Sequence, residues 1–175
     1  MQIKDEFKKL IPALSVEEFN QLEQNCLAEG IREKIITWNG FIIDGHNRFE
    51  IATRWNLEYQ SESKRFKDEN EVKEWMIHNQ FGRRNLSNYQ KSVLALELES
   101  VFSARAKERM LSGKPSQTFD KGRVDKKIGN IAKVSHETIR KVKVIEAKAT
   151  PEVKAQLSTG EVSINQAYQE IKKEE

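Results

Sequence analysis

The stretch Trp38-Asn39-Gly40-Phe41-Ile42-Ile43-Asp44-Gly45-His46-Asn47-Arg48 constrains the fold of this chain more than any other, because it demands a tight hairpin followed at once by a helix start. Asn39-Gly40 lies between the apolar runs Ile35-Ile36 and Phe41-Ile42-Ile43. Asn-Gly is the preferred pair for a two-residue type I′ turn, since both positions need positive φ. Asp44 and Gly45 then stop the strand, and Phe49, Ile51, Ala52 and Trp55 recur at helical rather than strand spacing. Gly45 to Arg48 is therefore expected to form a first helical turn whose unpaired backbone N–H groups attract anions. Arg48 would add a fork of donors suited to phosphate. Asp44 reads first as a helix cap and second as a base, and His46 as a phosphate donor or a cap.

Capping signals organise the rest. Ser15-Val16-Glu17-Glu18 has the form of a capping box, and Phe19, Leu22, Cys26 and Leu27 supply an apolar face behind it, which predicts a helix from about Val16 to Glu29 ended by Gly30. Leu57 to Phe66 alternates in part and is expected to hold one more strand. Asp68 begins a helix with Val72, Trp75 and Met76 on one face, expected to end near His78. Asn79 to Asn85 follows, with Arg83 and Arg84 before a second capping box, Ser87-Asn88-Tyr89-Gln90, and a long helix. Residues 112 to 126 carry only Phe119 and Val124 as apolar side chains and are expected to form no packed element. Thr150-Pro151 and the third capping box, Ser163-Ile164-Asn165-Gln166, start the last two helices.

Charge is uneven along the chain. Residues 1 to 70 carry 10 basic and 13 acidic side chains and residues 71 to 175 carry 20 and 14, so the front is acidic and the back basic. Between Ser103 and Lys148 the count is 13 basic to 5 acidic, a local field that favours nucleic acid over a small acidic ligand. Cys26 is the only cysteine, which excludes an intramolecular disulfide and a zinc site built on cysteines. His78 and His136 have no partners at ligand spacing, so no metal site is expected. No apolar run approaches the roughly 20 residues needed to span a bilayer, and no signal-peptide core is present, so a cytoplasmic location is expected.

Ile128 to Val142 has the spacing of a helix-turn-helix. Gly129 is small where two helices would cross closely, Val134 plugs the core from the turn, and Ser135 caps the second helix. Ile139 and Val142 face inward. Ser135, His136, Glu137, Thr138, Arg140 and Lys141 are left at or near the outward face, where a recognition helix meets base edges and phosphates of double-stranded DNA. Lys133 occupies the turn position where glycine is usual, so a positive φ there would cost on the order of 1 kcal/mol.

Taken in order, Leu27 to Ile36, Ile43 to Ala52, Asn79-Gln80 with Arg84-Asn85-Leu86-Ser87, and the helix-turn-helix resemble the ParB family of partition proteins over roughly Ser15 to Ile171. The resemblance implies an N-terminal domain of mixed helix and strand that binds CTP, or ATP, with magnesium, and a helix-turn-helix domain that reads DNA. By position, Gly45 and Arg48 would hold the phosphates with Asn79 and Arg84, and Asp44, His46, Asn47 and Arg83 beside them complete the candidate nucleotide site. Such proteins usually carry Glu-Arg-Arg where this chain has His46-Asn47-Arg48, one arginine fewer. Asp-Gly-His-x-Arg is also similar to ParB-like proteins with kinase-type or nuclease activity, related in fold to sulfiredoxin. The C-terminal dimerisation domain of full partition proteins is not expected; helix-turn-helix proteins commonly bind as a homodimer, but no coiled coil or apolar tail in the sequence identifies a dimer contact.

The expectation is thus an α+β protein: a ParB/sulfiredoxin-like domain over 1–86, a connecting helix over 87–111, a basic linker over 112–126 and an all-helical helix-turn-helix domain over 127–175. Its expected role is DNA binding in plasmid or mobile-element partition and maintenance, or in transcriptional regulation, modulated by a nucleotide. The alternative is a nucleotide-dependent enzyme, a CTPase, kinase or nuclease, whose catalytic residues the sequence does not assign.

Overall fold

Three short strands and the helices around them make up the front of the chain in the computed structural model, which describes residues 1–83, 86–111 and 121–173. The chain divides into two units, Met1–His78 and Asn79–Glu175.

In the first unit, α1 (Asp5–Lys8) and α2 (Val16–Glu29) precede a hairpin of β1 (Ile35–Trp38) and β2 (Phe41–Asp44), then α3 (His46–Trp55), β3 (Ser61–Ser63) and the start of α4 (Glu69–Arg83). The sheet order is β2-β1-β3, with β1 antiparallel to β2 and parallel to β3. Asn39 and Gly40 sit at φ 47° and 82°, as the Asn-Gly turn requires. The hairpin register shifts between Ile36 and Thr37, which pair with Asp44 and Ile42, and Ile43 is the extra residue. This bulge breaks the usual alternation, so Ile42, Ile43 and Asp44 are all buried. It therefore delivers a carboxylate into the core side of the sheet just before α3. Gln2 lies along the outer edge of the hairpin, exchanging backbone bonds of 3.0 Å with Gly40 and Ile42. The predicted strand between Leu57 and Phe66 is confined to three residues, all exposed.

The Ser15 capping box makes both of its bonds, and α2 ends where Gly30 takes φ 75°. Asp68 accepts from the Glu71 N–H at 2.9 Å and so starts α4. That helix does not end near His78 but continues to Arg83. Met76, Ile77 and the polar Gln80 are buried, so the buried face extends further than the sequence pattern suggested.

The second unit contains α5 (Asn88–Leu111), α6 (Lys121–Ala132), α7 (His136–Lys148), α8 (Pro151–Thr159) and α9 (Ile164–Lys173). Its core gathers Tyr89, Val142, Ile145, Leu157 and Ala167. The Ser87–Gln90 and Ser163–Gln166 boxes each make both bonds, and Thr150 caps α8 ahead of Pro151. Helix α6 begins inside the stretch 112–126, where no packed element was expected. Asp125 is buried and meets Lys143 Nζ at 2.6 Å, while Ile128 is fully buried, so residues 121–126 join an amphipathic helix through one ion pair. Residues 112–120 of that stretch lie outside the described residues. No helix among the described residues is long and apolar enough to cross a membrane.

Candidate functional site

The helix start after the hairpin is built around Gly45, which occupies the N-cap of α3 at φ 89° and makes no side-chain cap bond. A Cβ there would lie 3.2 Å from Arg48 Nη2 and 3.4 Å from Ile35 Cα, so glycine answers both the backbone and the space. Asp44 is not the cap. Its carboxylate accepts from Arg48 Nη2 at 3.3 Å, one helical turn on. Arg48 is further held by Glu33 at 2.8 Å through Nη1 and by the Lys34 carbonyl at 3.4 Å through Nη2, while its Nε is buried without a partner. The expected phosphate holder is thus engaged on both terminal nitrogens by the protein's own oxygens.

His46 and Asn47 turn another way. Together with Glu50 they line an open cavity of about 700 Å³ bordered by α1, by residues 9–15 and by the first turns of α2. Lys8 and Lys9 lie on its wall, as do the apolar Ile11, Pro12, Leu14 and Phe19. His46 is 5% exposed, and neither ring nitrogen has a hydrogen-bond partner among the described residues. Burial, with the Lys8 charge adding and Asp44 opposing, pulls its pKa down to about 4, so the ring is neutral at ordinary pH. The first turn of α3 therefore splits the expected residues into two groups. Asp44, Gly45 and Arg48 meet Glu33 and the start of β1, and His46 and Asn47 face the cavity.

Of the second expected segment, Asn79 and Arg83 belong to the last turns of α4 rather than to a loop, and Asn79 Nδ2 is buried without a partner. Arg84 lies outside the described residues. Sequence reasoning missed Glu33, Lys8 and Lys9. Each sits in a charged run, Arg32-Glu33-Lys34 or Lys8-Lys9, that reads as solvated, and only the tertiary structure brings it to the helix start.

In the second unit, α6 turns into α7 through Lys133, Val134 and Ser135. Lys133 sits at φ 57°, the left-handed conformation expected of that position. A Cβ on Gly129 would lie 2.8 Å from the Val134 carbonyl oxygen, so the two helices approach as closely as a missing side chain permits. Ser135 accepts from the Thr138 N–H at 3.1 Å and caps α7. His136, Glu137 and Arg140 are exposed, with Arg140 paired to Glu137 at 3.2 Å, and Thr138 is half-buried against Ser135. Lys141, half-buried, reaches α9: its Nζ donates to Asn165 at 2.8 Å and lies 5.7 Å from the Tyr168 ring. Behind α7, Tyr89 donates to Glu146, which Lys154 also pairs at 3.2 Å, and Lys143 bridges Asp125 and Glu99.

No protein-family model and no curated protein matches the chain. Among solved structures, it is similar to a Pnob8-like ParB-N domain in its C2221 form, with a TM-score of 0.66 and 19% identity, covering 97% of this chain and 74% of that one. It also matches the C-terminally truncated chromosome-partitioning protein ParB from Caulobacter crescentus complexed to the centromeric parS site, with a TM-score of 0.37, 16% identity and coverage of 97% and 79%. The mixed α+β architecture of this chain, with its small three-stranded sheet, is that of the Pnob8-like ParB-N domain fold.

Proposed function

We propose that the chain is a sequence-specific DNA-binding protein of the partition type, acting in plasmid or mobile-element maintenance or in transcriptional regulation, with α6 and α7 as a helix-turn-helix. The observation that carries this reading is the pairing of a close α6–α7 crossing at Gly129 with an exposed polar stripe, His136, Glu137 and Arg140, on the first turns of α7. That is the geometry by which a recognition helix enters a major groove. The basic balance of residues 103–148 supplies the charge that phosphates require.

Recovery of bound DNA from a random pool, followed by gel-shift titration of the selected site, tests it. Arg140→Ala is expected to weaken binding more than Lys141→Ala, because Lys141 is committed to α9. If Arg140 contacts a phosphate, its loss reduces the salt slope by about 1. Failure to retard any DNA at low salt would overturn the reading.

A second reading concerns the first unit. The start of α3, which has no side-chain cap and where the unpartnered His46 ring borders a cavity, suits a nucleotide whose phosphates meet the helix start. Calorimetric titration with CTP and ATP plus magnesium tests this, and a nucleotide-dependent change in DNA affinity would link the two units.

A further inference from the structure

The cation set for an anion at the start of α3 is not the one the Gly-x-x-Arg pattern advertises. We propose that Lys8 of α1 and Lys9 just after it hold the phosphates of a ligand in the first unit's cavity, and that Arg48 is a positioning residue pinning the hairpin to α3. The proposal rests on the nucleotide reading above and names the residues that make that site selective for anions.

Arg48 is spent. Its two terminal nitrogens are taken by Glu33, Asp44 and the Lys34 carbonyl, and it is not on the cavity wall. For it to serve a ligand, two carboxylates would have to release it, one of them Asp44 with a side chain only 9% exposed. Breaking a contact to a buried carboxylate is costlier than recruiting an exposed cation. Lys8 and Lys9 are in the opposite position. Both are exposed, both line the cavity beside His46 and Asn47, and neither is drawn into an ion pair among the described residues.

The wall also carries Asp5 and Glu50, but Glu50 is paired with Arg54 at 3.2 Å, so its charge is partly neutralised. An anion seated over the first turn of α3 would meet backbone N–H groups from one side and ammonium groups from the other. His46 adds the independent sign of a ligand: a ring 95% removed from solvent, on the cavity wall, with two nitrogens that no group among the described residues satisfies. A phosphate oxygen or a ligand hydroxyl would satisfy one of them.

The test is calorimetric titration of the full chain with inorganic triphosphate and with CTP, using wild type, Lys8→Ala/Lys9→Ala, Lys8→Arg/Lys9→Arg, Arg48→Met and Glu33→Gln. The alanine pair is expected to weaken both ligands roughly tenfold without lowering the melting temperature, and the arginine pair to retain affinity. Arg48→Met is expected to lower the melting temperature while keeping affinity within about threefold of wild type, measured below its melting point. Glu33→Gln covers the case in which Arg48→Met fails to fold. It frees the guanidinium without deleting it, and the proposal expects affinity again within about threefold. Tighter binding by Glu33→Gln, or a loss with Arg48→Met equal to that of the lysine pair, would assign the phosphates to Arg48 and overturn the proposal. No heat from wild type with either ligand would remove the nucleotide reading itself, and the lysine assignment with it, while leaving the DNA reading standing.

Discussion

A Cβ built on Gly129 would stand 2.8 Å from the carbonyl oxygen of Val134, closer than side-chain carbons approach backbone oxygens. Gly129 is in a regular helix, and its role is spatial: it lets α6 and the turn into α7 share one line of contact. Gly129→Ala is expected to destabilise the second unit by about 1–3 kcal/mol through overpacking against backbone that cannot yield cheaply. Denaturant unfolding monitored by circular dichroism measures it. DNA affinity should fall in parallel, because the crossing sets the pose of α7. An alanine variant as stable as wild type would mean that α6 can shift without cost.

Lys133 holds φ 57° immediately after α6, a conformation that side chains with a Cβ resist. Lys133→Gly is expected to raise stability by up to about 1 kcal/mol, the relieved strain being offset in part by the greater freedom of glycine in the unfolded chain. The charge lost is an exposed one, so the same variant separates backbone strain from DNA contact. Higher stability with weaker, less salt-sensitive binding would place Lys133 at the phosphates, whereas lower stability would show that its conformation carries no strain.

Local chemistry made much of the fold legible. Asn39-Gly40, the Ser15, Ser87 and Ser163 boxes and Thr150-Pro151 are short signals whose partners lie within a few residues, and each makes the contacts its pattern predicts. The close approach at Gly129 and the left-handed Lys133 were readable for the same reason. The extension of α4 to Arg83 was not, because Gln80 is polar and gives the apolar pattern no sign that it is buried. The bulge at Ile43 was equally hidden, since an unbroken apolar run looks the same with or without an extra residue.

The candidate site was legible in outline only. Gly45 was found at the helix start, but the fate of Arg48 turns on Glu33, which lies 15 positions earlier in a run of mixed charges. Motif spacing shows where an arginine starts. It does not show which carboxylate reaches it first. Lys141 teaches the same lesson in the second unit, where α9, 24 positions on, supplies the acceptor that engages its ammonium.

Gly45→Ala tests the helix start directly. The substitution forces a Cβ into φ 89° and places it 3.2 Å from Arg48 Nη2 and 3.4 Å from Ile35 Cα. A destabilisation of about 1–2 kcal/mol is expected from the backbone alone, with more if the Arg48–Asp44 contact shifts. Thermal unfolding reads the loss. Suppression by Arg48→Ala in the double variant, beyond additivity, would assign part of it to that crowding.

His46 should leave a signature in the acid limb of stability. Its pKa of about 4 lies below the ordinary 6.5 because burial and the Lys8 charge disfavour the imidazolium, with Asp44 opposing them. The unfolded chain therefore binds a proton near pH 6.5 that the folded chain refuses until about pH 4, and stability rises with pH across that interval. The contribution is whole above pH 6.5 and is lost as pH falls to about 4, on the order of 3 kcal/mol at the end. Glu69, held near 2 mainly by Lys4, also loses stabilisation on acidification, but between 4.5 and 2, so the upper part of the interval belongs to the histidine. His46→Leu is expected to flatten unfolding free energy between pH 6.5 and 4.5 in urea titrations, while Glu69→Gln leaves that slope in place. A His46→Leu profile with the wild-type slope would show that the ring is not held neutral by its surroundings.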